Sequence, residues 1–347
     1  MSEQAKICII ATGGTIASIE DPASDSLRPS LKVEDLVKTL PKAMSNIDII
    51  RKDLFLIDSA NMQPHHWQEI SESIQSVHED HPELSGFVIT HGTDTMVYSA
   101  SAVSLMVQEL GKPIAFTGSQ IPSSVPWSDG PRNILDAIRV ASFADLGETC
   151  IVFNGEIHRP TRTKKVRVNS YDAFDSMDPT PLGVLSREIV LFEDRKKRTT
   201  ANPTFDRRLD PNVFLLKVFP GMKPNVVSGI VEMGYHGLVI EGFGSGNIPS
   251  EENSLVHGIQ EAVDAGCAVV ISSQCAFGQA YPSLYEVSRA SAEVGAISVY
   301  DMTSEAAFVK LAWILGRTKK LDEIQEMMMK NYVGEISFRS DVGFTAT

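Results

Sequence analysis

Short apolar runs alternate with longer segments of helical period along most of the chain. This alternation is typical of β-α units built on a mostly parallel sheet. The pattern therefore predicts an α/β fold in which helices flank the sheet. In the first half, the runs predict strands at Lys6–Ala11, Leu54–Asp58, Gly86–Thr90, Pro113–Thr117 and Thr149–Phe153.

The segments between these runs carry helix and turn signals. Pro64 suits the first position of a helix, where its missing N–H is not needed, and Trp67 and Ile70 fall on one face of that helix. A second helix is expected from near Asp94 through Leu110; it is apolar almost all round, which predicts that it is buried. Asn154-Gly155 lies between two short runs and predicts a hairpin that extends or edges the sheet.

The alternation stops in a polar and basic stretch, residues 193–211, and then resumes. Because 347 residues exceed what one compact core usually serves, we expect a larger N-terminal catalytic α/β domain (1–192), a linker (193–211) and a smaller C-terminal α/β domain (212–347). The basic run Arg195–Arg198 is interpreted as a solvated connection, not a nucleic-acid patch. Strands are predicted after it at Val213–Phe219, Gly237–Glu241, Ala268–Ser272 and Ala296–Tyr300.

Composition narrows the possible partners. The formal net charge is −13, which argues against duplex DNA because phosphate neutralisation needs clustered Lys and Arg. No apolar stretch reaches the length of a membrane helix, and the N-terminus lacks a signal-peptide pattern. We therefore expect a cytoplasmic protein with no nucleic-acid or membrane partner. Cysteines without metal-ligand spacing are predicted to be reduced core residues, and no metal site is expected: Cys8, Cys150, Cys267 and Cys275.

Four predicted strand ends carry small polar residues. Because the carboxyl ends of parallel strands line the ligand crevice of an open α/β sheet, these ends predict a pocket for a small polar molecule. The first end lacks both the dinucleotide and the Walker pattern, so it is not a phosphate loop of either kind. Gly13-Gly14 permits a tight turn that would expose the hydroxyl of Thr15. The four ends are Thr12–Thr15, Asp58–Asn61, His91–Asp94 and Thr117–Gln120.

A threonine hydroxyl is a weak nucleophile unless a base takes its proton. The base candidates are His91, Lys164 and Lys165, and spacing alone does not choose among them. A histidine beside a strand end is also commonly a hydrogen-bonded structural residue. The pair Thr93-Asp94 has an equally ordinary interpretation as a helix N-cap.

Two motifs, Thr12–Ser18 (TGGTIAS) and His91–Met96 (HGTDTM), closely resemble the signatures of the bacterial-type L-asparaginase/glutaminase family, nearest its cytoplasmic type I branch. The resemblance implies hydrolysis of L-asparagine to L-aspartate and ammonia through a threonine acyl-enzyme, without a cofactor and with a possible weak glutaminase side activity. It also implies a homodimer or homotetramer. Supporting matches occur in family order at 58–62, 118–122, 171–174, 241–247, 301–303 and 313–316.

The resemblance assigns the catalytic residues. The family's nucleophile falls on Thr15 and not on Thr12. Its proton relay falls on Thr93, Asp94 and Lys165. Backbone N–H groups near Gly14 and Thr93 are the expected oxyanion donors.

The resemblance also assigns the substrate pocket. Ser59 and Asp94 are expected to hold the α-carboxylate and α-amino groups of the substrate, and the backbone of Ala60, Gly92 and Ser119 to line the pocket. Asn247 is expected to complete the site of a neighbouring protomer.

The sequence departs from the family at Leu27, where members commonly carry a lid tyrosine, and at Ala60 and Asn61, where polar or acidic side chains are frequent. The last two positions leave the preference between asparagine and glutamine open. One alternative is an amide-donor subunit of a tRNA-dependent amidotransferase, a family that usually carries a domain before the first motif, whereas the first strand here begins at Lys6. Another is a non-catalytic binder of small amino acids, for which Leu27 is the best support.

Overall fold

A computed structural model describes residues 5–21, 26–30, 32–38, 46–177, 180–200, 202–281 and 286–337, with the backbone alone for 19–21, 26–29 and 36. The chain divides into two compact units, Met1–Leu209 and Asp210–Thr347. The described helices are α1 Val33–Lys38, α2 Pro64–Asp80, α3 Met96–Met106, α4 Gly130–Phe143, α5 Val226–Glu232, α6 Val256–Asp264, α7 Glu286–Glu293, α8 Ser304–Leu315 and α9 Leu321–Met329.

The strands of the first unit are β1 Lys6–Gly13, β2 Ser18–Asp21, β3 Ser26–Pro29, β4 Asp48–Ile57, β5 Gly86–Thr90, β6 Val107–Gln108, β7 Ile114–Thr117, β8 Thr149–Phe153, β9 Glu156–His158, β10 Thr163–Lys165, β11 Phe174–Ser176, β12 Gly183–Leu185, β13 Ile189–Leu191 and β14 Thr204–Phe205. Those of the second unit are β15 Val213–Lys217, β16 Gly237–Gly242, β17 Ala268–Ser273 and β18 Ile297–Ser298.

The first unit, as far as it is described, is built on an eight-stranded sheet of order β13-β12-β9-β8-β7-β5-β1-β4. The strands β8, β7, β5, β1 and β4 pair in parallel, and β9, β12 and β13 form an antiparallel edge. The predicted α/β fold with a mostly parallel sheet is therefore confirmed. Because β1 lies between β4 and β5, the strand order reverses there, and such a reversal leaves a crevice at the carboxyl ends of the strands.

The central strands are continuous apolar runs because both faces of the sheet are covered. The side chains of Ile7 and Ile9 in β1 are fully buried, as are those of Ile134 and Ile138 in α4, in one apolar cluster. Each such side chain contributes about 1.5–3 kcal/mol of burial free energy. This packing fixes α4 against the sheet, and its N-terminus follows the loop that leaves β7.

Local predictions held except at element ends. The helix predicted at Pro64 is confirmed, as is the hairpin at Asn154-Gly155, where both residues have positive φ (48° and 81°). The buried helix expected to reach Leu110 ends at Met106 instead. There the chain turns into β6, which pairs with β14, and Glu109 takes a φ of 58° that a helix cannot contain.

The polar segment expected to be a solvated connection is partly anchored to the first unit. Arg198 donates from Nε to the Ala144 carbonyl (2.5 Å) and from an Nη to the Ala141 carbonyl (2.9 Å), at the C-terminal end of α4. A guanidinium there satisfies carbonyls that the helix leaves without partners. Only Lys196 and Lys197 of the basic run are exposed.

The second unit contains a four-stranded parallel sheet of order β15-β16-β17-β18 within its described residues. Its core includes Leu238, Ile240 and Ile259. The expectation that all cysteines lie in a core is right for Cys8, Cys150 and Cys267 and wrong for Cys275. Cys275 is exposed because β17 ends two residues before it.

The second unit also buries an ion pair that the sequence analysis did not anticipate. Lys310, on α8, lies with its Nζ 2.7 Å from Glu335 Oε1, and neither side chain is exposed. Glu335 accepts from the backbone N–H of Tyr332 (3.1 Å) and Val333 (2.7 Å). The pair therefore ties α8 to the chain that follows α9.

Candidate active site

The turn after β1 requires glycine for steric reasons. Gly13 and Gly14 have φ of +104° and +81°. A Cβ on Gly13 would lie 2.4 Å from the Ile57 carbonyl oxygen, and one on Gly14 would lie 2.2 Å from the Gly92 nitrogen. The absence of these atoms lets the turn after β1 touch the end of β4 and the turn after β5.

The two threonines of the first motif occupy different environments. Thr12 is fully buried, and its hydroxyl donates to the Thr90 carbonyl oxygen at 2.8 Å. Thr15 opens a one-turn 3₁₀ helix, Thr15–Ala17, and is half-buried. No hydrogen-bond partner for its side chain is found in the described part of the chain. The hydroxyl of Thr12 is thus engaged in the fold, whereas that of Thr15 makes no such bond within the described residues.

The turn after β5 and the end of β10 bring three predicted residues into one hydrogen-bonded group. Lys165 Nζ lies 2.8 Å from Thr93 Oγ1 and 2.6 Å from Asp94 Oδ1. Thr93 is buried, whereas the Lys165 and Asp94 side chains are 19% and 61% exposed. A lysine flanked by a hydroxyl and a carboxylate, with access to solvent, can exchange a proton with the hydroxyl.

His91 does not compete with lysine for the role of base. Its Nδ1 lies 2.7 Å from the Gly92 carbonyl oxygen, which can only accept, so Nδ1 carries the proton. Its Nε2 then accepts from the Ser99 hydroxyl at 2.9 Å. Burial lowers the pKa of His91 to about 4, so the ring is neutral at pH 7. Both nitrogens are occupied, and the ring holds the Gly92 peptide in place.

The turn after β4 adds Ser59 to the same crevice. Ser59 is buried, and its hydroxyl oxygen would be 2.4 Å from a Cβ on Gly92, so the two residues pack directly. Thr95 fixes this contact, since its hydroxyl donates to the Ser59 carbonyl at 2.8 Å. The neighbouring Ala60 exposes its side chain, and its N–H is held by Asp58 Oδ1 at 2.8 Å.

The loop after β7 and the start of α4 hold the predicted residue Ser119. They also hold Gln120, which the sequence analysis named only as part of a polar strand end, and Asp129 and Asn133, which it missed. Ser119 is fully buried, and its hydroxyl has no partner among the described residues. Asp129 accepts from the backbone N–H of Gln120 at 3.0 and 3.1 Å, and Asn133 donates to the Gly118 carbonyl at 3.0 Å. An Asp just before a helix suggests an N-cap, so nothing in the sequence marks Asp129 as the anchor of this loop.

Two predicted positions are not brought into this group. Leu27 pairs through its backbone with Glu20 in the β2–β3 hairpin, and its side chain lies outside the described residues. Asn247 belongs to the second unit, where it forms an antiparallel bridge with Phe243. Its role at a neighbouring site stays a prediction.

The N–H of Gly14 itself is engaged in the fold, because it donates to the Ile57 carbonyl oxygen at 3.0 Å. That backbone N–H groups near Gly14 and near Thr93 act as oxyanion donors stays a prediction. Among the described residues no group of three or more His, Cys, Asp or Glu side chains could hold a metal ion. In the same part of the chain, no helix is both long and apolar enough to cross a membrane.

The comparisons with known proteins agree on one family, but the relatives within it carry two different names. Residues 6–198 match the family model "Asparaginase, N-terminal" and residues 212–328 match "Glutaminase/Asparaginase C-terminal domain". The chain is 36% identical to a subunit of the glutamyl-tRNA(Gln) amidotransferase of Pyrococcus abyssi, over 96% of this chain and 77% of that protein.

Two solved structures resemble it over nearly their whole length. The thermostable L-asparaginase of Thermococcus kodakarensis superimposes with a TM-score of 0.89 at 32% identity, covering 96% of this chain and 99% of that one. L-asparaginase I of Vibrio cholerae gives 0.83 at 29% identity, covering 96% and 100%. With both halves of the chain matched to the family's models, the protein belongs to the asparaginase family.

Proposed function

We propose that this chain hydrolyses the side-chain amide of L-asparagine to L-aspartate and ammonia through an acyl-enzyme on Thr15. The observation that carries the proposal is the bonding of Lys165 to both Thr93 and Asp94 in the turn packed against the Thr15 turn. The two solved relatives, both L-asparaginases, support it.

In the proposed reaction, Thr15 Oγ attacks the amide carbon and the C–N bond breaks. The Thr15 proton is carried by the Thr93–Lys165 pair and leaves on the amide nitrogen as ammonia. Water then cleaves the ester, which releases aspartate and returns the proton to Thr15. The Asp94 carboxylate holds Lys165 against Thr93 throughout.

The same residues suit an amino-acid substrate. The exposed Asp94 carboxylate offers a counter-charge for an α-ammonium group, and the Ser59 hydroxyl offers a donor for an α-carboxylate. A buried hydroxyl without a partner, as at Ser119, is costly unless a ligand or water satisfies it. We propose that Ala60, Gly92 and Ser119 line this pocket.

Assembly and location complete the proposal. A cytoplasmic homodimer or homotetramer would let Asn247 reach the site of a neighbouring protomer. The domain and linker boundaries, 1–192, 193–211 and 212–347, stand as part of the same proposal.

Ammonia release tests the proposal. The wild-type chain, with no added protein, should release ammonia from L-asparagine faster than from L-glutamine. Thr15→Ala and Thr93→Ala should each abolish this release while keeping the circular dichroism spectrum and thermal midpoint of the wild type. Full activity in either variant would refute the assignment.

The relative from Pyrococcus abyssi favours a second function, because it is named as a subunit of a glutamyl-tRNA(Gln) amidotransferase. In that case the same threonine chemistry would supply ammonia to a partner that binds tRNA. The two functions differ in what the chain does alone. Ammonia release from glutamine that appears only with a co-purifying tRNA-binding protein would replace the first proposal by the second.

A further inference from the structure

Gln120 joins the Thr93 hydroxyl to an exposed loop, residues 166–172. Thr93 Oγ1 lies 3.0 Å from Gln120 Oε1. On its other side, Gln120 Nε2 lies 2.7 Å from the Val168 carbonyl oxygen and 3.2 Å from that of Ser170. The side chain therefore bridges the proposed proton relay and the loop.

The partners of Gln120 fix which way its amide points. The Val168 and Ser170 carbonyl oxygens can only accept, so the NH₂ group faces the loop and Oε1 faces Thr93. Because Oε1 has no proton, the Thr93 hydroxyl must donate to it. The Thr93 lone pairs are then directed to Lys165 Nζ, which donates at 2.8 Å. The order of donation is Lys165 to Thr93 to Gln120.

The main chain of Gln120 and the loop are each held by a further contact. Its N–H is shared by both carboxylate oxygens of Asp129, so its main chain cannot shift without breaking that contact. The loop has an independent tie, since the Tyr171 hydroxyl donates to the Trp127 carbonyl at 2.8 Å. That second tie holds the same loop without touching Thr93, and it provides a matched control.

We propose that Gln120 is a positioning residue: it sets the direction of the Thr93 hydroxyl proton, and so keeps a Thr93 lone pair aligned on Lys165, while anchored to the 166–172 loop. This inference rests on the proposed function, in which Thr93 and Lys165 pass a proton. Without the amide, the Thr93 proton has no acceptor on that side and can turn towards Lys165, so the donation from Lys165 to Thr93 is no longer enforced.

The test compares three variants with the wild type. Gln120→Met keeps the length of the side chain and removes both ends of the bridge. Gln120→Glu keeps an acceptor for Thr93 but cannot donate to the loop. Tyr171→Phe removes only the other tie. Each is assayed for kcat and KM at its own pH optimum, because the new carboxylate of Gln120→Glu adds charge beside Lys165 and Asp94. Tryptic cleavage after Arg167, which is exposed in the loop, is measured alongside.

We expect Gln120→Met to lower kcat about tenfold, equivalent to about 1.4 kcal/mol, with KM within twofold, and to speed cleavage after Arg167. Gln120→Glu should recover kcat to within about threefold of the wild type and still be cleaved faster. Tyr171→Phe should leave kcat unchanged. Equal losses of kcat in all three variants, or unchanged kcat in Gln120→Met, would overturn the positioning role.

The outcome is separable from that of the proposed function. If the wild-type chain releases no ammonia from either amide, the proposed function fails and the positioning role on Thr93 fails with it. The cleavage assay needs no substrate, so it still decides whether Gln120 anchors the loop. A cleavage rate in Gln120→Met equal to that of the wild type would overturn that part.

Discussion

Each unit contains a lysine–carboxylate pair of nearly the same length, in opposite surroundings. Lys165 Nζ lies 2.6 Å from Asp94 Oδ1, and Lys310 Nζ lies 2.7 Å from Glu335 Oε1. The first pair is open to solvent, with side chains 19% and 61% exposed, whereas both side chains of the second are fully buried. Distance alone therefore does not distinguish a pair that can do chemistry from one that holds the fold.

The number of acceptors makes the distinction. The ammonium of Lys310 has three protons and three acceptors: Glu335 and the carbonyl oxygens of Met328 (2.7 Å) and Lys330 (2.6 Å). Loss of a proton would leave a buried acceptor unsatisfied. Lys165 bonds Thr93 and Asp94, and the described residues offer its third position no acceptor. The Lys310 ammonium is therefore held by acceptors on all three sides, whereas that of Lys165 keeps one position open within the described residues.

Replacement of Lys165 gives the largest expected effect. Lys165→Met should lower kcat/KM for asparagine about a thousandfold, roughly 4 kcal/mol, because it removes the proposed proton carrier. Stability should change by less than about 1 kcal/mol, since a solvent-exposed pair contributes little. Ammonia release and thermal unfolding measure the two effects. If Lys165→Met retained activity, or lost activity only because it unfolded, the proposed difference between a chemical role for Lys165 and a structural role for Lys310 would be contradicted.

Replacement of Lys310 should act on the fold. Lys310→Met leaves the Glu335 charge buried without its partner, and it should lower the unfolding free energy of the second unit by about 3–5 kcal/mol. Hydrogen exchange of the α8 amides reports this loss locally. The matched control is Lys310→Met with Glu335→Gln, which keeps an acceptor for the Tyr332 and Val333 N–H groups without the charge. A double variant as unstable as the single one would contradict this account.

Acid should lower the stability of the first unit more than that of the second. Burial lowers the pKa of both His91 and His158 in the first unit to about 4, from an ordinary value of 6.5. The unfolded chain takes up these protons as the pH falls below 6.5, whereas the folded chain resists until about pH 4. The contribution of each histidine to the unfolding free energy is therefore fully present above pH 6.5. It declines between pH 6.5 and pH 4, by up to about 3 kcal/mol for each histidine.

The second unit has no buried histidine among its described residues: the side chains of His236 and His257 are 49% and 80% exposed. Hydrogen exchange at pH 7 and pH 4.5 should show faster opening of the first unit alone. His158→Asn should reduce the difference. Equal acid sensitivity of the two units would show that the buried histidines do not control it.

The smallest expected effect contrasts Thr12 with Thr15. Thr12→Val removes one buried hydrogen bond, to the Thr90 carbonyl, and should cost about 1 kcal/mol of unfolding free energy. Ammonia release should stay within about threefold of the wild type, since one weakened contact in the fold is worth no more than that. Loss of activity in a folded Thr12→Val variant would mean that the nucleophile had been assigned to the wrong threonine.

The fold could be predicted from sequence because apolar periodicity is local. The runs that form β1, β5 and β8 are unmistakable, and their burial on both faces follows from composition. Element ends were less predictable. The helix α3 stops at Met106 because β6 pairs with β14, about a hundred residues later, and no local pattern carries that information.

The residues of the candidate site were likewise predictable only in part. The small polar residues at strand ends, including Thr15, Ser59 and Thr93, follow from the rule that parallel strands open on one crevice. Lys165 could be assigned only by family resemblance, because 72 residues separate it from Thr93. The bridge through Gln120 and the Lys310–Glu335 pair depend on side-chain geometry between distant segments, which periodicity does not encode.

The most direct test of the central claim is ammonia release from L-asparagine and L-glutamine, side by side, by the purified wild-type chain and by Thr15→Ala. The account predicts rapid release from asparagine by the wild-type chain alone, slower release from glutamine, and none from either amide in a fully folded Thr15→Ala. Release that persists in Thr15→Ala, or that requires a second protein and RNA, would contradict it.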